Sequence, residues 1–375
     1  MASSFPSPPL LRPPTANVQK VLTRYSSSLC SWAVGTHVQY HVALCQLPVS
    51  TDREANIARA RARIDAAAAA GAKLVVLPAS RFHSCCRVHC VKRQTVKGLN
   101  STKTQVLSTV GPLMEIWSCP YSVETLPSYA EDIDGGKSPS ISMLCAVADA
   151  RKITVVGGSI PEMASGQVFN TCCVIGPDGK ITAKHRKLHL FEIDIPGDIT
   201  LRESDTFTAG PELTFDTDVG RIGIGICHDI RFPELAMLYW SRGAFPFHRC
   251  LTYLLPVSIQ HEHWGASVGP HAEIKLFVAT CSPARDPNVK SDYMIWGHSS
   301  LIGPFGEVLA AAGHEEATII VEIDLSLIQS TRGSLPLEVE SRRDLYRLVD
   351  VRRESGRSDV ASGNIADVRT QWRDL

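Results

Sequence analysis

From His41 onward, short apolar runs alternate with amphipathic stretches, and the two periods predict the elements. The run 42–47 predicts a buried strand. Thr51 or Asp52 can then cap a helix through Ile57, Ala60, Ile64 and the alanine run 66–70, which Gly71 stops. Leu74 to Leu77 form the next apolar run, ended by Pro78; strand, helix and strand within about 35 residues make a βα unit. The pattern returns with a helix over 140–150 and a strand over 153–156, broken by Gly157-Gly158. Runs 171–175 and 181–185 flank Pro177-Asp178-Gly179-Lys180, the wording of a hairpin turn. Further strands are predicted over 221–226, whose glycines permit close backbone approach, and over 277–280, 295–301 and 319–323. The fold class is α/β.

Two segments break this order. Residues 79–114 are polar and basic with no periodicity, where a short loop should leave a strand. Residues 245–275 offer no clean helix. The first 50 residues stand apart too: they hold no acid before Asp52 and are rich in Ser and Pro. Such a leader reads as an organelle transit peptide or a plain disordered tail. The expected organisation is a leader over 1–38, one domain over 39–353 and a solvated tail over 354–375. A transit peptide would send the chain to a plastid or mitochondrion; a plain tail would leave it in the cytoplasm.

Composition narrows the function classes. A chain of 375 residues can bury a sizeable core. Lys+Arg and Asp+Glu balance at 38 each, which argues against a nucleic-acid partner. No apolar stretch reaches the roughly 18–20 residues of a membrane span. The twelve Cys are scattered, several inside apolar runs, as expected of reduced buried thiols and not of a disulfide framework.

The strongest chemical signal is Cys227, at the end of the predicted strand 221–226 and ahead of a helix starting near Pro233. A turn there exposes sulfur, a helix N-terminus favours the thiolate, and the next backbone N–H can bind an oxyanion. The bland reading is a cysteine that merely packs behind its strand.

Several motifs in the same order make the reading specific: Ala183-Lys184-His185-Arg186-Lys187-Leu188-His189-Leu190-Phe191, Asp194-Ile195-Pro196-Gly197, and the turn Cys227-His228-Asp229-Ile230-Arg231-Phe232-Pro233. Gly157-Gly158-Ser159-Ile160-Pro161-Glu162, Phe169-Asn170-Thr171-Cys172, and Trp296-Gly297-His298-Ser299 join them. With these the chain resembles the nitrilase superfamily of carbon–nitrogen hydrolases, and within it the ω-amidase branch. The resemblance implies a four-layer α-β-β-α sandwich and a Glu-Lys-Cys triad, with neither metal nor organic cofactor. It also implies association into a homodimer or higher homo-oligomer. Cys227 takes the nucleophile's place and Lys187 the oxyanion stabiliser's. Glu203 matches the second glutamate, which positions lysine and substrate.

The catalytic base requires an argument, because Leu77-Pro78 is followed by Ala79 where the family has Glu. Glu115-Ile116-Trp117 reads as the missing continuation, so residues 79–114 are an insertion placed immediately before Glu115. The branch acts on α-ketoglutaramate and α-ketosuccinamate, whose distal carboxylate needs a cation. Arg231 is the candidate clamp, unless it pairs with Asp229 or Glu234, and Tyr121 can add a hydrogen bond. His228 stands where the branch has Tyr, which alters the pocket. The rivals are another amidase, such as a carbamoyl-amine hydrolase, and a nitrilase-like chain disabled by its insertion and its non-matching segment 245–275. Within the insertion His83, Cys85, Cys86, His89 and Cys90 supply zinc-type ligands, but without the paired Cys-x-x-Cys spacing of a zinc site.

Overall fold

The computed structural model describes residues 39–78, 113–121, 126–195, 199–210, 214–242, 251–255, 276–285, 295, 297–335, 340–342, 344–346, 348, 349 and 351. The leader, the zinc-type cluster and the tail over 354–375 lie outside them.

Strand β1 (Gln39–Gln46) leads into helix α1 (Arg53–Ala69). Asp52 caps that helix by accepting a hydrogen bond from Ala55 N at 3.0 Å. Alanine-rich wording favours the helix, and Gly71 ends it at φ +93°. Strand β2 (Ala72–Val76) follows, then β3 (Leu113–Ile116) and β4 (Cys119–Tyr121) as a separate hairpin. Helix α2 (Pro139–Arg151) starts on Ser138, whose hydroxyl accepts from Ile141 N, with Pro at its first position. Strands β5 (Thr154–Ala164), β6 (Gln167–Ile175) and β7 (Ile181–Arg186) form an antiparallel meander. Strands β8 (Glu192–Ile195) and β9 (Ile199–Arg202) form a second small hairpin.

The rest of the chain builds a second sheet from β10 (Thr214–Thr217), β11 (Gly220–Ile224), β12 (Leu251–Leu255), β13 (Phe277–Thr280), β14 (Ser300–Ile302) and β15 (Val308–Ala311). Helix α3 (Pro233–Arg242) lies between β11 and β12. Strand β16 (Ala317–Asp324) then returns to the first sheet beside β1, and helix α4 (Ser326–Ser334) follows.

Two six-stranded sheets result, in the orders β16-β1-β2-β5-β6-β7 and β10-β11-β12-β13-β14-β15. Alternation along the first sheet separates its faces. Val75, Leu77, Val155, Cys173 and Ile175 meet Ala60, Ile64 and Ala67 of α1 and Leu144, Val147 and Ala148 of α2. Val42, Leu44, Leu74, Val76, Cys172 and Val174 point the other way, against Ile222, Ile224, Phe277 and Ala279 of the second sheet. On that sheet's outer side Gly223 makes room for α3, since a Cβ there would stand 2.6 Å from the Tyr239 ring. Helix, sheet, sheet and helix are the expected four layers.

Three expectations shift. The strand predicted over 153–156 does not end at Gly157-Gly158 but runs to Ala164, absorbing the glycines in a register shift between Val156 and Ser159. The strand predicted over 295–301 is confined to Ser300–Ile302. Residues 188–191, between β7 and β8, form a loop in which His189 N bonds to Asp229 and Phe191 N to Glu203. Finally, segment 245–275 contributes β12, which pairs in parallel with both β11 and β13 at the centre of the second sheet.

Candidate active site

Strand β11 delivers Cys227 into a 3-10 turn, Cys227–Arg231, just before α3. Cys227 has φ +53° and is nearly buried. A side chain held in this left-handed region is strained, and such strain gathers where a nucleophile must be aimed.

Lys187 follows the last residue of β7, and its amide donates to Asn170 O on β6 at 2.8 Å. Its side chain is fully buried, with Nζ 2.5 Å from Glu203 Oε2. The β8–β9 hairpin brings Glu203 there. Phe191 N donates to Glu203 Oε2 at 2.7 Å, and Glu203 N donates to Phe191 O at 2.9 Å, so Glu203 itself closes the base of the hairpin. Burial works against charge on Lys187, but Glu203 and then Cys227 outweigh it and hold the ammonium's pKa above its usual value. The result is a fixed buried cation electrostatically coupled to Cys227.

Asp229 joins the two loops that carry these groups. Its Oδ2 accepts from Ile226 N at 2.8 Å, immediately before Cys227. Its Oδ1 accepts from His189 N at 2.9 Å and faces His189 Nδ1 at 2.7 Å, two residues beyond Lys187. His185 Nε2 stands 3.9 Å from the other oxygen. Burial alone would raise the Asp229 pKa; the His185 and His189 contacts and the Ile226 amide reverse that and keep it ionised. The His189 ring stacks on Phe232, and His228 meets Phe191 and Phe232 edge-on. Burial, followed by the Lys187 and Arg231 charges, pushes the His228 pKa down to about 4, so this imidazole is neutral at pH 7.

The residues on either side of segment 79–114 return to one place. Ser159 N donates to Pro78 O at 3.2 Å, and Trp117 Nε1 donates to Gly157 O at 2.7 Å. Gly158, at φ +63°, lies between them: a Cβ there would clash with Pro78 O and stand 2.8 Å from Trp117 Cδ1. Strand β3, which carries Glu115, is thereby anchored to the same stretch of β5 that meets the end of β2. The side chains of Glu115 and Tyr121 lie outside the described residues.

Of the residues expected from sequence, Cys227, Lys187 and Glu203 come together. Arg231 is exposed at the end of the Cys227 turn; Asp229 is engaged by His189 and Ile226. The sequence marks Asp229 only as a partner for Arg231 and His189 not at all, although the two lie two residues beyond Cys227 and Lys187 respectively.

A buried lysine paired to one glutamate and facing a strained cysteine can hold an oxyanion while sulfur attacks a carbonyl carbon. The profile of carbon-nitrogen hydrolases matches residues 41–333. The chain belongs to the carbon–nitrogen hydrolase family. Among its relatives, the chloroplastic omega-amidase of Arabidopsis thaliana is 48% identical over 319 residues, covering 84% of this chain and 76% of that protein. The omega-amidase NIT2 of Homo sapiens is 38% identical, covering 82% and 96%. The crystal structure of Saccharomyces cerevisiae Nit3, of the nitrilase superfamily, superposes with a TM-score of 0.63 at 32% identity, covering 81% of this chain and 96% of that one. This carbon–nitrogen hydrolase thus carries the nitrilase-like sandwich expected of it.

Proposed function

We propose that this chain is an ω-amidase that releases ammonia from the terminal amide of α-ketoglutaramate or α-ketosuccinamate. The observation that carries the reading is the buried Lys187–Glu203 pair coupled to Cys227 at a strained turn, in a chain whose relatives are omega-amidases. The rival amidase and disabled-enzyme readings have no comparable support.

In this mechanism the Cys227 sulfur attacks the amide carbon, and the developing oxyanion is held by Lys187 Nζ and the His228 backbone N–H. The C–N bond breaks as Glu115 passes the thiol's proton to the departing nitrogen, leaving a thioester and ammonia. Water, deprotonated by Glu115, then attacks the thioester; the carbon–sulfur bond breaks, Glu115 returns the proton to the departing sulfur, and the keto diacid leaves. Glu203 holds Lys187 in place. Arg231 clamps the substrate's distal carboxylate, with Tyr121 as a hydrogen-bond donor and His228 shaping the pocket.

The test is ammonia release from α-ketoglutaramate by the purified chain and its loss in Cys227→Ala. A folded chain that is silent on the amide overturns the reading. Two further parts of the proposal are separable. Residues 1–38 act as a plastid transit leader, consistent with the chloroplastic relative, and import of a fusion into isolated chloroplasts checks it. The enzyme works as a homodimer or higher homo-oligomer, which sedimentation measures.

A further inference from the structure

Asn170 is fully buried on β6, and among the described residues neither Oδ1 nor Nδ2 of its amide has a hydrogen-bond partner. A buried amide with both ends unsatisfied is costly and calls for an explanation. The strand register shows where it faces. Thr171 pairs with Arg186 and Cys172 with His185 in the β6–β7 ladder, and the next position sets Asn170 opposite Lys187, whose amide bonds to its carbonyl. Opposed residues in an antiparallel pair lie on one face, with Cα atoms about 5.5 Å apart when they exchange hydrogen bonds. Thr171 points to the other face, where its hydroxyl reaches Glu162 at 2.6 Å. Cys172 and Val174, in step with Asn170, point between the sheets into the cluster that contains Cys227.

We infer that Asn170 is a specificity-determining residue whose Oδ1 accepts a hydrogen bond from the NH2 of the substrate's scissile amide. This rests on the amidase reading above. With the substrate carbonyl oxygen turned to Lys187, a primary amide has its NH2 left to place; an ester of the same acid offers an alkoxy oxygen and no donor. A side chain that is donor and acceptor at once also suits the second half of the reaction, when water replaces ammonia at the same position.

The experiment compares kcat/KM for α-ketoglutaramate with that for the γ-methyl ester of the same keto acid, in wild type and in Asn170→Leu. The wild type is expected to favour the amide although the ester is intrinsically more reactive. In Asn170→Leu the amide-to-ester ratio falls by about 10- to 100-fold, mainly through the amide. Asn170→Ala provides the same comparison if the leucine variant does not fold. Equal losses on both substrates, an unchanged ratio, or a wild type that prefers the ester overturns the inference. A wild type that hydrolyses neither substrate overturns the amidase reading instead.

Discussion

Lys187 Nζ and Glu203 Oε2 lie 2.5 Å apart with both side chains fully buried, so each charge depends on the other for its place in the protein. Removing one partner of such a pair leaves an uncompensated buried charge, which costs about 3–5 kcal/mol. Glu203→Ala is expected to lose stability on that scale and to lose activity. Glu203→Gln retains an oxygen for the Phe191 amide but no negative charge for Lys187. It should unfold less readily than the alanine variant and still turn over slowly. Urea denaturation alongside kcat measures both.

Asp229 ties the loop after Lys187 to the turn before Cys227 through three hydrogen bonds of 2.7–2.9 Å. An asparagine in its place must turn an NH2 donor toward one of two backbone donors, Ile226 N or His189 N. The loop positions then shift, and a displacement of about 1 Å near reacting groups can cost roughly 100-fold in rate. Asp229→Asn is expected to lower kcat on that scale with a much smaller change in KM, because no substrate contact is removed. A rise in KM at constant kcat would show that Asp229 serves binding and not alignment.

The sandwich and most of its strands were legible as short unbroken apolar runs, because a strand with helices on one face and the second sheet on the other is buried on both. Cys227, Lys187 and Glu203 were legible because they sit in short motifs whose order is kept. What the sequence hid follows from tertiary bonding. Nothing local shows that Gly157-Gly158 forms a bulge within one continuous strand, since the reason is the convergence of Pro78 and Trp117 on that spot. The loop after Lys187 carries strand-like residues whose amides are taken by two carboxylates from distant segments. The strand Leu251–Leu255 was overlooked because its neighbours in sequence lack the expected wording, although parallel pairing on both sides gives it a place.

Gly158 is the point where Pro78 and Trp117, from either side of segment 79–114, meet. Gly158→Ala adds a methyl group against Pro78 O and Trp117 at a positive φ that alanine adopts poorly. A loss of about 2 kcal/mol or more in unfolding free energy is expected, with a fall in activity as β3 and Glu115 move away from β5. Gly166 provides the control. It also has positive φ, at +74°, but nothing lies within 4 Å of its added Cβ, so Gly166→Ala should cost less and leave kcat unchanged.

His228 provides a pH test with a definite sign. Its pKa falls from an ordinary 6.5 to about 4, driven by burial and then by Lys187 and Arg231. Between those values the unfolded chain binds the proton and the folded chain does not, so the histidine's contribution to stability rises with pH across that interval. Above pH 6.5 both states are neutral at this position and the contribution is flat; below pH 4 both are protonated and it is flat again, at its least favourable level. Urea midpoints should therefore fall more steeply from pH 6.5 toward 4 in wild type than in His228→Phe, which retains an aromatic ring beside Phe191 and Phe232. A side chain that is neutral at pH 7 cannot set an acid limb of the rate profile near neutrality. The phenylalanine variant should accordingly keep the wild-type limb above about pH 5, even if pocket shape alters KM. Parallel stability curves for the two proteins, or an acid limb near pH 6 that disappears with the imidazole, would show that His228 titrates close to its ordinary value and that the neighbouring cations do not govern it.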